Sequence, residues 1–95
     1  MTRYSNLFLI HIPDSRNSYP ETFGFWDPLC LGQVILYRSL RELKEGVKNY
    51  ISKNKHIEYI ILNQLPSQEE YELSDEMYKN LFRDAEPLEE MQISA

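Results

Sequence analysis

The chain has 95 residues, the size of one small domain and too short to hold two. Its hydrophobic fraction of 42% and charged fraction of 26% are those of a folded globular protein, which excludes a disordered or low-complexity chain. The formal net charge of −5 is uneven, because residues 1–63 hold eight Lys and Arg against six Asp and Glu whereas residues 64–95 hold two against nine. This acidic last third disfavours direct nucleic-acid binding.

The first half of the chain predicts two strands. Residues 7–12, LFLIHI, are apolar on both faces and end at Pro13, which predicts a buried central strand. Residues 13–20 are rich in turn-forming types and predict a loop, and residues 33–37, QVILY, predict the second strand. The pattern does not decide whether a further edge strand lies between the two.

A first helix is predicted after Ser39, which forms a capping box with Glu42. Apolar residues then recur at helical spacing, at Leu40, Leu43, Val47, Tyr50 and Ile51, so this face should pack against a sheet. Residues 56–63, HIEYIILN, predict a third strand, parallel to the strand that precedes the helix.

A second helix is predicted over residues 75–85, with Ser74 as its cap and Met77, Leu81, Tyr78 and Phe82 as its apolar face. Residues 88–95 should fray, because they have little to bury. The elements together predict a single α+β domain over residues 1–87. Its mixed sheet has about three strands in β-β-α-β-α order, with two helices packed on it, and an acidic tail over residues 88–95 follows.

The sequence predicts no catalytic residue, no cofactor and no metal ion. His11, His56 and Cys30 lack the close spacing of metal ligands, and no base or cation stands beside Cys30 to activate its thiol. The three glycines are scattered, so they do not form a phosphate-binding loop. A single cysteine also argues against a disulfide-stabilised secreted scaffold, and the apolar run near the start is too short for a signal peptide or membrane span. We expect a cytoplasmic, non-enzymatic protein.

A basic stripe is predicted along one side of the first helix, formed by Arg41, Lys44, Lys48 and Lys55. It would meet a phosphate backbone or an acidic protein if it were functional. The simpler interpretation is a solvated face with ion pairs inside the helix, such as Glu45 with Lys48 or Arg41 with Glu45. We favour that interpretation.

Residues 69–78, which we call the acidic segment, hold five carboxylates within eight positions: Glu69, Glu70, Glu72, Asp75 and Glu76. Such charge density commonly serves solubility. The functional alternative is a surface that imitates nucleic-acid phosphates or steers the protein onto a basic partner. Tyr71 and Tyr78, interleaved with the acids, would then supply contact area.

The stretch TFGFWDPLCLG, residues 22–32, is the second candidate surface. We expect Phe23, Leu29 and Leu31 to point into the core and Trp26 to stay exposed as an interface anchor, with Phe25 beside it. The alternative is that Trp26 closes the core, as most tryptophans do.

These surfaces predict a small acidic binding protein that occupies a surface of another protein, one with a basic surface. The predicted contact residues are Phe25, Trp26, Glu69, Glu70, Tyr71, Glu72, Asp75, Glu76 and Tyr78. By analogy of size and charge we favour an inhibitor, such as a phage or mobile-element antagonist of host defence, a nucleic-acid mimic or an immunity protein. The alternatives are an accessory subunit or assembly factor, and a ligand-binding domain or enzyme with a pocket under the aromatic stretch. No membrane association is expected, and the sequence does not predict the oligomeric state.

Overall fold

A computed structural model describes residues 3–13, 20–29 and 32–90 of the chain. A mixed sheet carries two α-helices, which confirms the predicted α+β class, but the sheet has five strands rather than three. After a 3-10 turn at Arg3–Ser5, the elements are β1 Asn6–Ile12, β2 Thr22–Trp26, β3 Ile35–Tyr37, α1 Leu40–Lys53, β4 Tyr59–Ile61, α2 Asp75–Phe82 and β5 Glu86–Pro87.

The first strand is the centre of the sheet, as predicted. β1 pairs antiparallel with β2, which pairs antiparallel with β3. On its other edge β1 pairs with β4 in parallel through its first half and with β5 antiparallel through its second half. The two strands that flank α1 are parallel, as predicted, but they are not neighbours in the sheet. The unassigned strand β2 lies beside β3 and separates it from β1, so β4 pairs with the free edge of β1 instead.

Alternation along β1 divides the core between the two faces of the sheet. Leu7 and Leu9 face α1, in a cluster completed by Phe25, Leu43, Val47, Ile57 and Leu88. Phe8 and Ile10 face α2, in a cluster completed by Trp26, Tyr71 and Phe82. The two helices therefore lie on opposite faces of one sheet.

Both predicted serine caps form. The hydroxyl of Ser39 accepts a hydrogen bond from the amide of Glu42 at 3.1 Å, and the Glu42 carboxylate accepts one from the amide of Arg38 at 3.2 Å. The hydroxyl of Ser74 accepts from the amide of Met77 at 3.1 Å. These local bonds fix the start of each helix at the predicted residue.

The end of the chain departs from the prediction in two ways. α2 stops at Phe82 instead of residue 85, and Asp84 adopts a φ of 58° that no helix can contain. Leu88, which the prediction placed in the tail, is buried, and its amide donates to the carbonyl of Leu9 at 3.1 Å. Residues 91–95 of the predicted tail lie outside the described residues.

Gly46 marks the place where Tyr37 packs on α1. A methyl group at Gly46 would overlap the hydroxyl and ring of Tyr37. We expect Gly46→Ala to destabilise the protein by about 1 to 2 kcal/mol, because overpacking against a rigid ring outweighs the roughly 1 kcal/mol gained in helix propensity.

Chemical denaturation of a double-mutant cycle tests this assignment. In a Tyr37→Ala background, the same Gly46→Ala change should stabilise the protein by up to about 1 kcal/mol, because only the propensity gain remains. If Gly46→Ala stabilises the wild-type protein as well, Tyr37 does not pack there.

Candidate functional site

The backbone of the acidic segment is held by side chains at its start. The hydroxyl of Ser67 accepts from the amide of Glu70 at 3.3 Å, within the turn that precedes α2. The amide of Leu73 donates to the carbonyl of Gln68 at 3.0 Å. The Gln68 side chain donates to the carboxylate of Asp75 at 2.5 Å. The turn is therefore hydrogen-bonded to the start of α2, and together they fix the backbone that bears the acidic residues.

All five carboxylates of the acidic segment are exposed: those of Glu69, Glu70, Glu72, Asp75 and Glu76. Glu72 has a φ of 55°, a left-handed conformation that a residue with a long side chain rarely adopts. Such a backbone persists only where the surrounding structure imposes it. The carboxylates are thus presented on a defined backbone and not on a flexible tail.

The two tyrosines of the acidic segment attach it to the rest of the protein and do not enlarge its exposed surface. Tyr71 is only 7% exposed, packs edge-on against Phe8 at a centroid distance of 5.6 Å, and accepts a hydrogen bond from Asn6 at 3.2 Å. Tyr78 is half-buried and donates its hydroxyl proton to the carbonyl of Pro66 at 2.9 Å. The expectation that Tyr71 offers contact area to a partner is wrong, because the ring fills the core beneath the acids.

The predicted division of the aromatic stretch is also wrong. Trp26 is 3% exposed and Phe25 is 1% exposed, so neither is available as a surface anchor, whereas Leu29 is 52% exposed. Phe23 is half-buried against the α1 cluster, and Leu31 and Cys30 lie outside the described residues. The reason is that residues 22–26 form β2 in the middle of the sheet, where successive side chains enter opposite core layers.

An exposed apolar side chain near the acids is that of Met77. Its side chain is 44% exposed, although the helical spacing predicted that it would pack on the core. Met77 lies in a shallow groove with Glu76, Asn80 and Gly32, between α2 and the chain before β3. A flexible thioether beside carboxylates is a suitable contact residue for a protein partner.

The charges of the two helices lie on opposite faces of the sheet. The acidic segment covers the α2 face, and the basic stripe of Arg41, Lys44 and Lys48 lies on α1, with Lys55 just after it. None of these four side chains is hydrogen-bonded or ion-paired with any residue that the structure describes, so the ion pairs expected inside α1 do not form. The uneven charge of the sequence becomes an uneven charge of the surface.

A second polar site was not found by the sequence analysis. Asp27 is completely buried at the end of β2, and one carboxyl oxygen accepts from the amide of Leu29 at 2.9 Å. The other accepts from the hydroxyl of Tyr50 at 2.6 Å and lies 2.8 Å from Nε2 of His56. The site joins β2, α1 and the loop before β4. The sequence shows Asp27 only as part of a turn-forming Asp-Pro pair, so nothing local indicated these contacts.

The described residues hold no group of three or more His, Cys, Asp and Glu side chains that could bind a metal ion. His11 contacts one carboxylate closely, that of Glu21 at 2.5 Å, and lies 4.0 Å from that of Glu86. Its ring also stacks on Phe23 at 5.1 Å. These contacts account for His11 as a structural residue near the end of the central strand β1.

Comparisons of the chain with protein-family models, with curated proteins and with solved structures found no significant match. No helix among the described residues combines the length and apolar character needed to cross a bilayer.

Proposed function

We propose that the protein is a small non-enzymatic binding protein whose acidic segment occupies a basic surface of another protein. The observation that carries the proposal is the arrangement of residues 69–78, in which five exposed carboxylates stand on a backbone anchored in the core by Tyr71 and Tyr78. Acids kept for solubility alone need no such anchoring. A preorganised surface costs less conformational entropy on binding, and its charge accelerates encounter with a basic partner.

The proposed contact surface combines these acids with Met77, which supplies the apolar centre. Its groove is lined by Ser74 and Asn80, which can donate or accept hydrogen bonds from a partner. The proposed surface does not include Phe25, Trp26 and Tyr71, which the sequence predicted as contact residues, because they are buried.

Within this class we favour an inhibitor, of the kind that phages and mobile elements use against host defence or that neutralises a toxin, acting in the cytoplasm. Rigidly held carboxylates can also imitate the phosphates of a nucleic acid, which would place the partner among nucleic-acid-binding proteins. An accessory subunit or assembly factor is the second candidate, favoured by the exposed Met77 and Leu29. These candidates share a protein partner, so one experiment tests their common basis.

Neutralising the acidic segment tests the proposal. We expect the fourfold change of Glu69, Glu70, Glu72 and Glu76 to glutamine to alter the melting temperature by only a few degrees, because exposed charges contribute little to stability. The variant, immobilised as bait, should fail to retain the partner that the wild-type protein captures from lysate of its source cells. With the purified partner, it should associate more slowly and with a weaker dependence on salt.

A matched control variant changes the net charge by the same amount but leaves the acidic segment intact. The control changes four other exposed residues, all outside the acidic segment, to glutamine and so removes the same number of negative charges. These residues are Glu45, Glu58, Glu89 and Glu90. The control should retain the partner. Equal loss in both variants would mean that net charge and not the acidic segment drives capture, and retention by the first variant would exclude the proposed surface.

A further inference from the structure

Among the described residues, β3 is the last strand on one side of the sheet. β3 pairs with β2 on one side, and no described strand pairs with its other side. The strand reads ILY, without a proline or charge of the kind that discourages edge pairing. Leu36, its middle residue, is 48% exposed, so an apolar side chain stands at this edge.

We propose that this edge pairs antiparallel with β3 of a second copy of the chain and forms a two-fold symmetric dimer with one continuous sheet. Leu36 then lies opposite Leu36 of the second copy, on the face that carries α2. The two-fold axis is perpendicular to the sheet, so the α1 helices of both copies lie on the same face and run antiparallel.

The spacing of the elements fits this arrangement. α1 contacts β2 and β3 to a similar extent, so we place its axis between these two strands, about half a strand spacing or roughly 2.4 Å inside β3. The symmetry axis lies another half spacing outside β3. The two helices are then separated by about 10 Å, which is the distance at which packed helices make contact.

Charge complementarity selects a second copy as the occupant. Glu42 and Lys53 are exposed on α1, and their separation of eleven residues is close to three turns, so they lie on one flank about 16 Å apart. Gly46 lies between these two residues on that flank and packs against Tyr37 of β3, which places the strand near the middle of the helix. A two-fold axis at this level brings Glu42 against Lys53 of the second copy, and the reverse.

The small residues between these charges allow the helices to approach. Gly46 and Asn49 line a shallow groove beside Tyr37, and the same axis places Gly46 against Asn49 of the second copy. A free extended peptide would meet only three residues of β3 and would leave this flank of α1 uncovered. A second copy covers both.

Charge exchange followed by analytical ultracentrifugation tests the dimer. The wild-type chain should approach twice its mass of 11.4 kDa at high micromolar concentration. Lys53→Glu and Glu42→Lys, each alone, should weaken self-association by at least about tenfold, because each places like charges together twice. An equimolar mixture of the two variants should restore a heterodimer, in which every contact is again between opposite charges.

Two further variants serve as a control for the charge reversals and as a direct test of the strand edge. Lys48→Glu, an equal reversal on the other flank of α1, should leave association unchanged. Leu36→Lys, at an exposed position, should abolish it without loss of the circular dichroism signal, and this variant replaces Glu42→Lys if the altered cap unfolds the chain. A wild-type chain that stays monomeric overturns the proposal. So does a mixture that fails to associate although both variants are folded, or a Leu36→Lys variant that remains dimeric.

Discussion

Trp26→Ala is expected to lower the free energy of unfolding by about 3 to 5 kcal/mol, which is a large fraction of the roughly 5 to 15 kcal/mol available to a domain of this size. The indole is 3% exposed and meets Phe82 and Tyr71 edge-on, at centroid distances of 5.3 and 5.8 Å. Its removal leaves a cavity between the sheet and α2 that the rings of Phe82, Tyr71 and Phe8 are too rigid to fill. Urea denaturation measures the loss directly.

Fluorescence and a matched substitution complete this test. The native protein, with its single tryptophan, should emit in the blue and resist quenching by acrylamide. Leu29→Ala, only three positions along the chain but 52% exposed, should change stability by no more than about 0.5 kcal/mol. A red-shifted, quencher-accessible emission, or equal losses in the two variants, would mean that the stretch faces solvent.

Asp27→Ala should cost a similar amount, about 3 to 5 kcal/mol, for a different reason. The carboxyl is fully buried, and its two oxygens satisfy the amide of Leu29, the hydroxyl of Tyr50 and Nε2 of His56. Truncation leaves these partly buried groups without their partner. An unsatisfied buried polar group typically costs about 1 to 3 kcal/mol, and three are affected together.

Smaller changes at the same site should grade the loss. Asp27→Asn keeps the shape and the acceptor for Leu29 but presents an amide donor towards Tyr50 and His56, so we expect an intermediate loss of about 1 to 3 kcal/mol. Tyr50→Phe removes one hydrogen bond and should cost about 1 to 2 kcal/mol. If calorimetry finds Asp27→Ala no worse than Tyr50→Phe, the carboxyl does not organise the site.

Local signals in the sequence predicted the parts of the fold that depend on neighbouring residues. The alternation along residues 7–12 indicates two buried faces without knowledge of what covers them, and each serine cap is a bond across three residues. The exposure of the acids could be expected because a charge at that density is costly to desolvate. These features survive in the structure with small shifts in their ends.

What the sequence did not predict depends on contacts between distant segments. Whether Trp26 is buried depends on β2 pairing with β1, in which Trp26 lies opposite Phe8, eighteen positions earlier. Asp27 meets Tyr50 and His56 only when α1 crosses β2, and these partners lie 23 and 29 positions later. No window of neighbouring residues contains either relationship, so propensity and periodicity could not reveal them.

The position of β1 also bears on the order in which the chain assembles. β1 precedes the other four strands in the sequence, yet one of its edges is completed only by Tyr59–Ile61 and Glu86–Pro87. The hairpin of β1 with β2 can form early, whereas closing the other edge requires two much longer loops and therefore slows folding. Until residue 87 has been synthesised and docked, the hydrophobic edge of β1 stays open to other nascent chains, which makes this the stage at which the protein is most prone to aggregate.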